Sequence, residues 1–257
     1  MPDAPVILSC AMTTPLSPAA IAALTPTGKL RVGINHSNFL LSSHDAAGRY
    51  SGVAIDIAAE LAKRLGVSVE VVGFDAPGPM AEAVVREAWD VAFMGNEPAR
   101  AKQIAFSAAY LEIEAGYLVP AGSPIQTMSD VDREGVRVAL MGRSAYDLFL
   151  ERHLRHATIV RAKDIDASYD VFVADKLEVL AGLKPRLISD AKRLPGSRML
   201  DGRFTSIQQS VGAPRSRDEA GAAYVRGLVE ELKASGFVAN AIARHQVNGV
   251  SVAPVAE

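Results

Sequence analysis

Between Leu30 and Met94 the spacing of apolar residues switches from every second position to every fourth and back, twice over, with only short links. Leu30, Val32 and Ile34 alternate with Lys29, Arg31 and Gly33, which predicts a strand with one face against a core. Val53, Ile57, Leu61 and Leu65 recur at helical spacing, with Ala54, Ala58, Ala59 and Ala62 between them. Lys63 and Arg64 suit the C-terminal end of that helix dipole, and Gly66 stops the helix. Val67, Val69 and Val71 alternate again, Pro77 to Ala88 reads as a second helix, and Asp90 to Met94 as a third strand. Strand–helix–strand–helix–strand with such short links predicts a mostly parallel sheet covered by helices, so the fold class is α/β.

A second series of the same kind begins at Val136. Val136 to Leu140 reads as a strand, Ala145 to Leu154 as a helix capped by Ser144, and Ala157 to Val160 as a strand. Ser168 to Ala174 follows as a helix and Leu177 to Ala181 as a strand, after which Gly182 to Arg186 reads as a loop. Two extended segments, Glu112 to Val119 and Phe204 to Val211, pass between the two series. Ser17 to Leu24 predicts a short helix with Pro18 at its first position. A long helix through Ala223, Leu228, Val229 and Leu232 closes at Gly236, and Phe237 to Arg244 makes the last helix. These closing helices need a host, and the first series is the expected one. The expected division is residues 28–117 with 207–257 as a discontinuous lobe 1, 118–206 as lobe 2, and 1–27 as an N-terminal extension.

The chain of 257 residues is long enough for two domains of ordinary size. Its formal net charge of −2, without single-sign runs, predicts no nucleic-acid partner. No apolar run reaches the ~18 residues of a membrane span. The single cysteine, Cys10, excludes an internal disulfide, and no motif for a metal or a cofactor is present, so none is expected. The first residues lack a basic start, and their apolar run is too short for an export signal, which predicts a cytoplasmic chain as written.

In an open α/β sheet ligands bind beyond the carboxyl ends of the strands. Gly95-Asn96-Glu97-Pro98 follows the third strand as a turn able to open a helix, with Asn96 as its cap and Pro98 in its first turn. Arg100 then sits one turn in. A guanidinium beside free backbone N–H groups is a receptor for a carboxylate. Ser144 holds the corresponding place in the second series, and a cleft between two lobes would bring the two residues face to face.

Several pieces in shared order carry a resemblance. They are Gly28-Lys-Leu-Arg-Val-Gly33, Gly52-Val-Ala-Ile-Asp-Ile-Ala-Ala-Glu-Leu61, Trp89-Asp-Val-Ala, Arg100 followed by Ile104-Ala-Phe-Ser107, Val136-Arg-Val-Ala-Leu-Met-Gly142, and Lys233-Ala-Ser-Gly-Phe-Val. From about Gly28 to His245 the chain resembles the type II periplasmic solute-binding proteins of ABC transporters, in the amino-acid-binding branch (bacterial extracellular solute-binding protein family 3). The resemblance implies a two-lobed periplasmic-binding-protein-like fold, a small-molecule carboxylate ligand in the cleft, an ABC-transporter permease as partner and a periplasmic location by family default. It implies that Arg100 holds the ligand's α-carboxylate and that Ser144 and Gly142 donate to it from the other lobe. Arg143 replaces a residue that is usually small. Asn35, Asn38, Gly95 and Gln208 or Gln209 are the further ligand-binding candidates. Glu97 stands where the family usually has Thr, and would act on selectivity.

The chain also departs from the pattern. The loop from Asp90 to Arg100 is two residues shorter than usual, and Val53 and Ala54 replace an aromatic residue and an aspartate. Gly182-Leu183 occupies the place of the aspartate that holds an α-ammonium. This makes a carboxylate without a free amine a competitor to the family's default amino acid. The alternative readings are a cytoplasmic dehydratase-like enzyme on the same scaffold, with Glu97 as general acid and His36 as base, or a sensor with a protein partner.

Overall fold

The computed structural model describes residues 15–255. After α1 (Pro18–Leu24), the first series runs β1 (Leu30–Asn35), the hairpin β2 (Ser43–His44) and β3 (Tyr50–Ser51), α2 (Val53–Leu65), β4 (Val69–Phe74), α3 (Pro77–Glu82), β5 (Val91–Gly95) and α4 (Pro98–Ala101). The long strand β6 (Ile104–Val119) leads to the second series: β7 (Arg137–Met141), α5 (Ala145–His153), β8 (Thr158–Ala162), α6 (Ile165–Ala174), β9 (Val179–Leu183), α7 (Lys184–Arg193) and β10 (Arg198–Met199). The chain returns through β11 (Thr205–Pro214) and finishes with α8 (Glu219–Ala234), α9 (Phe237–Arg244) and β12 (Val250–Val252).

The hydrogen-bonded strand order is β4-β1-β5-β11-β6-β9-β7-β8. In the first lobe β1 pairs in parallel with β4 and β5, and in the second β7 pairs in parallel with β8 and β9. Strands β6 and β11 belong to both lobes and pair antiparallel from Ile104↔Pro214 to Ala115↔Thr205. The expected two-lobed α/β fold is therefore present, and the two extended segments are the strands that cross between its lobes. Of the closing helices, α9 packs against α2 of the first series and α8 against the crossing strands β6 and β11, and α1 packs against α8.

Local chemistry explains most boundaries. Helix α2 ends at Gly66, whose left-handed backbone (φ 70°) lets its N–H reach the Ala62 and Lys63 carbonyls. The helix expected over Pro77–Ala88 stops at Glu82 and tightens to a 3-10 turn over Ala83–Arg86. Two prolines and a glycine in its first turn give it little helix propensity, and the Trp89 indole N–H is tied back to the Met80 carbonyl at 2.9 Å. The expected loop after Ala181 is instead the end of β9 and the start of α7, since Pro185 suits a first helical turn. The cap of α4 is Glu97 rather than Asn96, and it makes no side-chain capping bond. Strand β12, too short to show a period, pairs with β6 at Leu111–Ile113.

Two buried polar groups brace this part of the molecule, one within the first lobe and one between the crossing strands. The fully buried Asp90 carboxylate accepts from the Arg31 backbone N–H at 2.7 Å and from the Arg31 and Arg217 guanidinium groups at 2.7 and 2.6 Å. It joins β1, the start of β5 and the entry to α8 at one point. Ser107 Oγ accepts the Val211 N–H at 3.0 Å, beside the register shifts between Gln209 and Gly212 on β11. Asp90→Asn keeps the shape but removes the charge between two arginines. It is expected to destabilise folding by roughly 3 kcal/mol, read as a lower urea midpoint at unchanged slope.

Candidate functional site

The carboxyl ends of β1, β5, β7 and β9 open onto one cleft between the lobes, whose free space of about 720 Å3 includes the solvent at its open mouth. The walls are largely apolar, with Met80, Phe93, Met141, Leu183, Leu187 and Ile207 among them, and a few polar groups converge between these.

Arg100 lies at the centre of the contact between the lobes. Pro98 starts the four-residue helix α4 directly after β5, which turns the guanidinium back over the strand end. The residue is 7% exposed. Its Nη1 donates to the Gly95 carbonyl at 2.9 Å, and its Nη2 donates across to the Arg143 carbonyl in lobe 2 at 3.0 Å. Burial, with a smaller contribution from Arg143, pushes its pKa down to about 10, while the Glu97 charge opposes that fall. At neutral pH Arg100 therefore remains a cation, and the partners it bonds are neutral carbonyls.

The lobe-2 side is set by Asp147, in the first turn of α5. Its Oδ2 accepts the Arg143 N–H at 2.6 Å, and its carboxylate is held by Arg161 at 3.0 Å. Arg143 is thereby kept in a left-handed backbone (φ 62°), with its carbonyl turned to Arg100. Ser144 caps α5 by accepting the Asp147 N–H at 3.1 Å, and it lines the cleft. Desolvation pushes the neighbouring Tyr146 phenol up to about 12, a hydrogen bond to Ser144 opposing the shift.

Of the candidates read from sequence, Arg100, Ser144, Asn35, Asn38, Gly95 and Gln209 line the cleft. Five others do not. The Gly142 N–H is taken by the Ala162 carbonyl at 2.9 Å in the β7–β8 layer, so it is no donor to the cleft. The Arg143 side chain leaves the cleft to pair with Glu82 of lobe 1. Gln208 is turned away by strand alternation, and Gln209 faces the cleft in its place. Glu97 is buried, with Oε2 2.6 Å from Arg152 on α5. His36 packs against the hairpin, with Nε2 hydrogen-bonded to the Tyr50 hydroxyl at 2.9 Å and its ring 5.0 Å from that of His44. Neither half of the acid–base pair in the enzyme reading thus reaches the cleft.

Arg186 and Asp190 on α7 line the cleft without having been anticipated. Their i, i+4 spacing is visible in the sequence, but reading Gly182–Arg186 as a loop hides the helix that gives the spacing meaning. Arg186 Nε bonds both Asp190 oxygens at 2.9 and 3.0 Å, and Arg193 reaches the same carboxylate at 3.4 Å. Desolvation raises the Asp190 pKa, and Arg186 works against the rise. Asp190 is the one acid lining the cleft among the described residues, so two arginines and one aspartate leave the lining at +1. Among the described residues no group of three His, Cys, Asp or Glu could hold a metal ion.

Such a fold and cleft define a two-lobed solute receptor, in which a small molecule is enclosed between lobes joined by crossing strands. The chain belongs to the bacterial extracellular solute-binding proteins, family 3, whose family model matches residues 30–246. It is similar to the lysine/arginine/ornithine-binding periplasmic protein of Escherichia coli (strain K12), at 25% identity over 236 residues, covering 87% of this chain and 90% of that protein. Among solved structures it is similar to the solute receptor for L-cysteine of Neisseria gonorrhoeae, with TM-score 0.74 and 21% identity over 89% of this chain and 95% of that one. An ArgBP mutant from T. maritima matches with TM-score 0.72 and 21% identity over 88% of this chain and 99% of that one. The protein is accordingly a solute-binding protein of the ABC-transporter type, and among its described residues no helix is long and apolar enough to cross a membrane.

Gly95 touches the opposite lobe so closely that a Cβ there would lie 2.7 Å from the Ala145 Cβ, nearer than packed carbons approach. Gly95→Ala is expected to leave the fold intact and hold the lobes apart. Small-angle scattering checks this: a profile unchanged from wild type would show that the contact does not limit closure.

Proposed function

We propose that this protein captures a small carboxylate metabolite, an amino acid or a related organic acid, in the cleft for delivery to an ABC-transporter permease. The observation that carries the reading is Arg100, a buried guanidinium on the cleft wall whose two hydrogen-bond partners are the neutral Gly95 and Arg143 carbonyls. Glu97, the carboxylate whose field reaches it, is committed to Arg152. A ligand carboxylate is the counter-charge that the cation lacks among the described residues, and a buried, charge-assisted bond to a guanidinium is strong. Ser144, Asn35 and Asn38 supply further polar contacts in this scheme. Both the family and its periplasmic relative favour the periplasm over the cytoplasm as the place of action. The first residues, on which the cytoplasmic expectation rests, lie outside those described, and Cys10 is among them.

The lobes in this proposal are residues 28–117 with 207–257, and 118–206. Support comes from β6, which meets the lobe-2 strand β9 only from Ala115 onward. Opening and closing would be a hinge motion of the crossing strands near 115–120 and 205–212. The contacts that exist only with the lobes together are Arg100 to Arg143, Glu97 to Arg152 and Glu82 to Arg143. These contacts and the ligand would favour the closed form jointly.

Mass spectrometry of the small molecule that co-purifies, followed by calorimetric titration with amino acids, keto acids and dicarboxylates, tests the proposal. Arg100→Ala is expected to weaken carboxylate binding by ~3 kcal/mol, about 100-fold. Unchanged affinity in that variant would remove Arg100 from the site. The basic amino acids in the name of the Escherichia coli relative are expected to bind poorly here. The lining is already at +1, and its one acid among the described residues is held by Arg186 and Arg193. Tight binding of L-lysine would contradict this.

A further inference from the structure

Two amide oxygens in the cleft have no hydrogen-bond partner among the described residues, Gln209 Oε1 and Asn38 Oδ1. Both residues line the cleft, and Gln209 is only 4% exposed. Buried amide oxygens are rarely left unpaired, because they lose water and gain nothing in return. The backbone fixes both positions. Gln209 pairs with Gly95 on one side and Leu111 on the other, immediately before the register shift that Ser107 holds. Asn38 follows a tight loop in which Asn35 Oδ1 accepts from the Ser37 N–H and hydroxyl at 3.1 and 2.8 Å, and the Asn38 N–H donates to the Asn35 carbonyl at 3.3 Å. Neither oxygen can therefore find a partner by a small backbone adjustment.

Resting on the carboxylate reading of Arg100, we propose that Gln209 and Asn38 determine specificity by accepting hydrogen bonds from a donor group on the ligand's α-carbon. One cation without a counter-charge and two unpaired neutral acceptors among the described residues of the cleft match a carboxylate bearing a neighbouring N–H or O–H. An α-ammonium offers three donors and an α-hydroxyl one. An α-keto acid or a des-amino acid offers none and leaves both oxygens unpaired, so it is rejected. The acceptors are neutral, and among the described residues no carboxylate in the lining is free to compensate a positive charge. The site therefore distinguishes donor from non-donor more sharply than charged from uncharged. The ligand class is α-amino and α-hydroxy acids. The apolar walls at Met80, Phe93, Met141, Leu187 and Ile207 favour an uncharged side chain.

The test begins with wild-type protein, stripped of ligand by unfolding and refolding, titrated with the twenty L-amino acids and with their matched α-hydroxy, α-keto and des-amino acids. No binding by any of these carboxylates would overturn the carboxylate reading itself. Binding of an α-keto or des-amino acid as tightly as its amino counterpart would leave that reading intact and overturn the present one. The expected order is the amino and hydroxy acids within about tenfold of each other, with the keto and des-amino acids roughly 10- to 100-fold weaker. Gln209→Leu is expected to lose roughly 10- to 100-fold for the tightest amino acid while leaving its des-amino analogue unchanged. Gln209→Glu keeps the shape and the acceptor oxygen and replaces the NH2 donor by a second acceptor, so it is expected to bind the amino acid at least as tightly as wild type. A Glu variant weaker than the Leu variant would mean that the amide donates to the ligand carboxylate, and would overturn the proposal. If thermal melts show that the Gln209 variants do not fold, Asn38→Asp and Asn38→Leu ask the same question with the same expected signs.

Discussion

The antiparallel ribbon of β6 and β11 is the constraint on which the remainder of the molecule depends. One edge of the ribbon carries β5 and through it the first lobe, while the other carries β9 and the second. The two parallel sheets are thus continuous through a pair of strands that neither lobe owns. Register shifts on β11 turn the ribbon, and the Ser107 hydroxyl occupies the backbone N–H that the shift would leave unpaired. Strand alternation just before the shift turns Gln209, rather than Gln208, to the cleft. Fold, hinge and specificity are therefore tied to a few residues of one ribbon.

Charge is distributed across the cleft in an unequal way. Arg143 and Glu82 are both half exposed or more, so their ion pair contributes at most about 1 kcal/mol in water. Glu97 has a side chain only 9% exposed, and its bond to Arg152 is accordingly worth more. That pair removes from the site the carboxylate that would otherwise neutralise Arg100. An acid expected from the sequence to act on selectivity instead bridges the lobes and leaves the cationic anchor in need of a partner. The left-handed backbone at Arg143 belongs to the same arrangement, since it aims a carbonyl at Arg100 and is stabilised by Asp147.

Most of the fold was legible because its signals are local. The spacing of Val53, Ile57, Leu61 and Leu65 predicts a helix whose observed bounds are the same residues. Ser17 and Ser144 cap α1 and α5 as their positions suggest. Where local signals conflicted, packing decided. Pro185 reads as a loop residue in the sequence but lies in the first turn of a helix, and three residues of β12 form a strand only because β6 offers an open edge. Within the cleft, Arg100 and Ser144 could be placed because each follows a strand end. Asp190 could not, because it lies on the helix that the loop reading had removed.

By itself the sequence determined the α/β class, the two series of elements, the crossing segments and the strand ends from which a site would be built. Each of these rests on periodicity or on a capping residue within a few positions of its partner. Only the tertiary structure decided which side chains share the cleft. Gln209 rather than Gln208 faces inward because of a strand register, and Glu97 is withdrawn by an arginine 55 residues away. His36 is turned aside by a tyrosine in a hairpin. Such choices depend on groups distant in the chain but adjacent in space, and on burial, which sets what a charge needs from its neighbours.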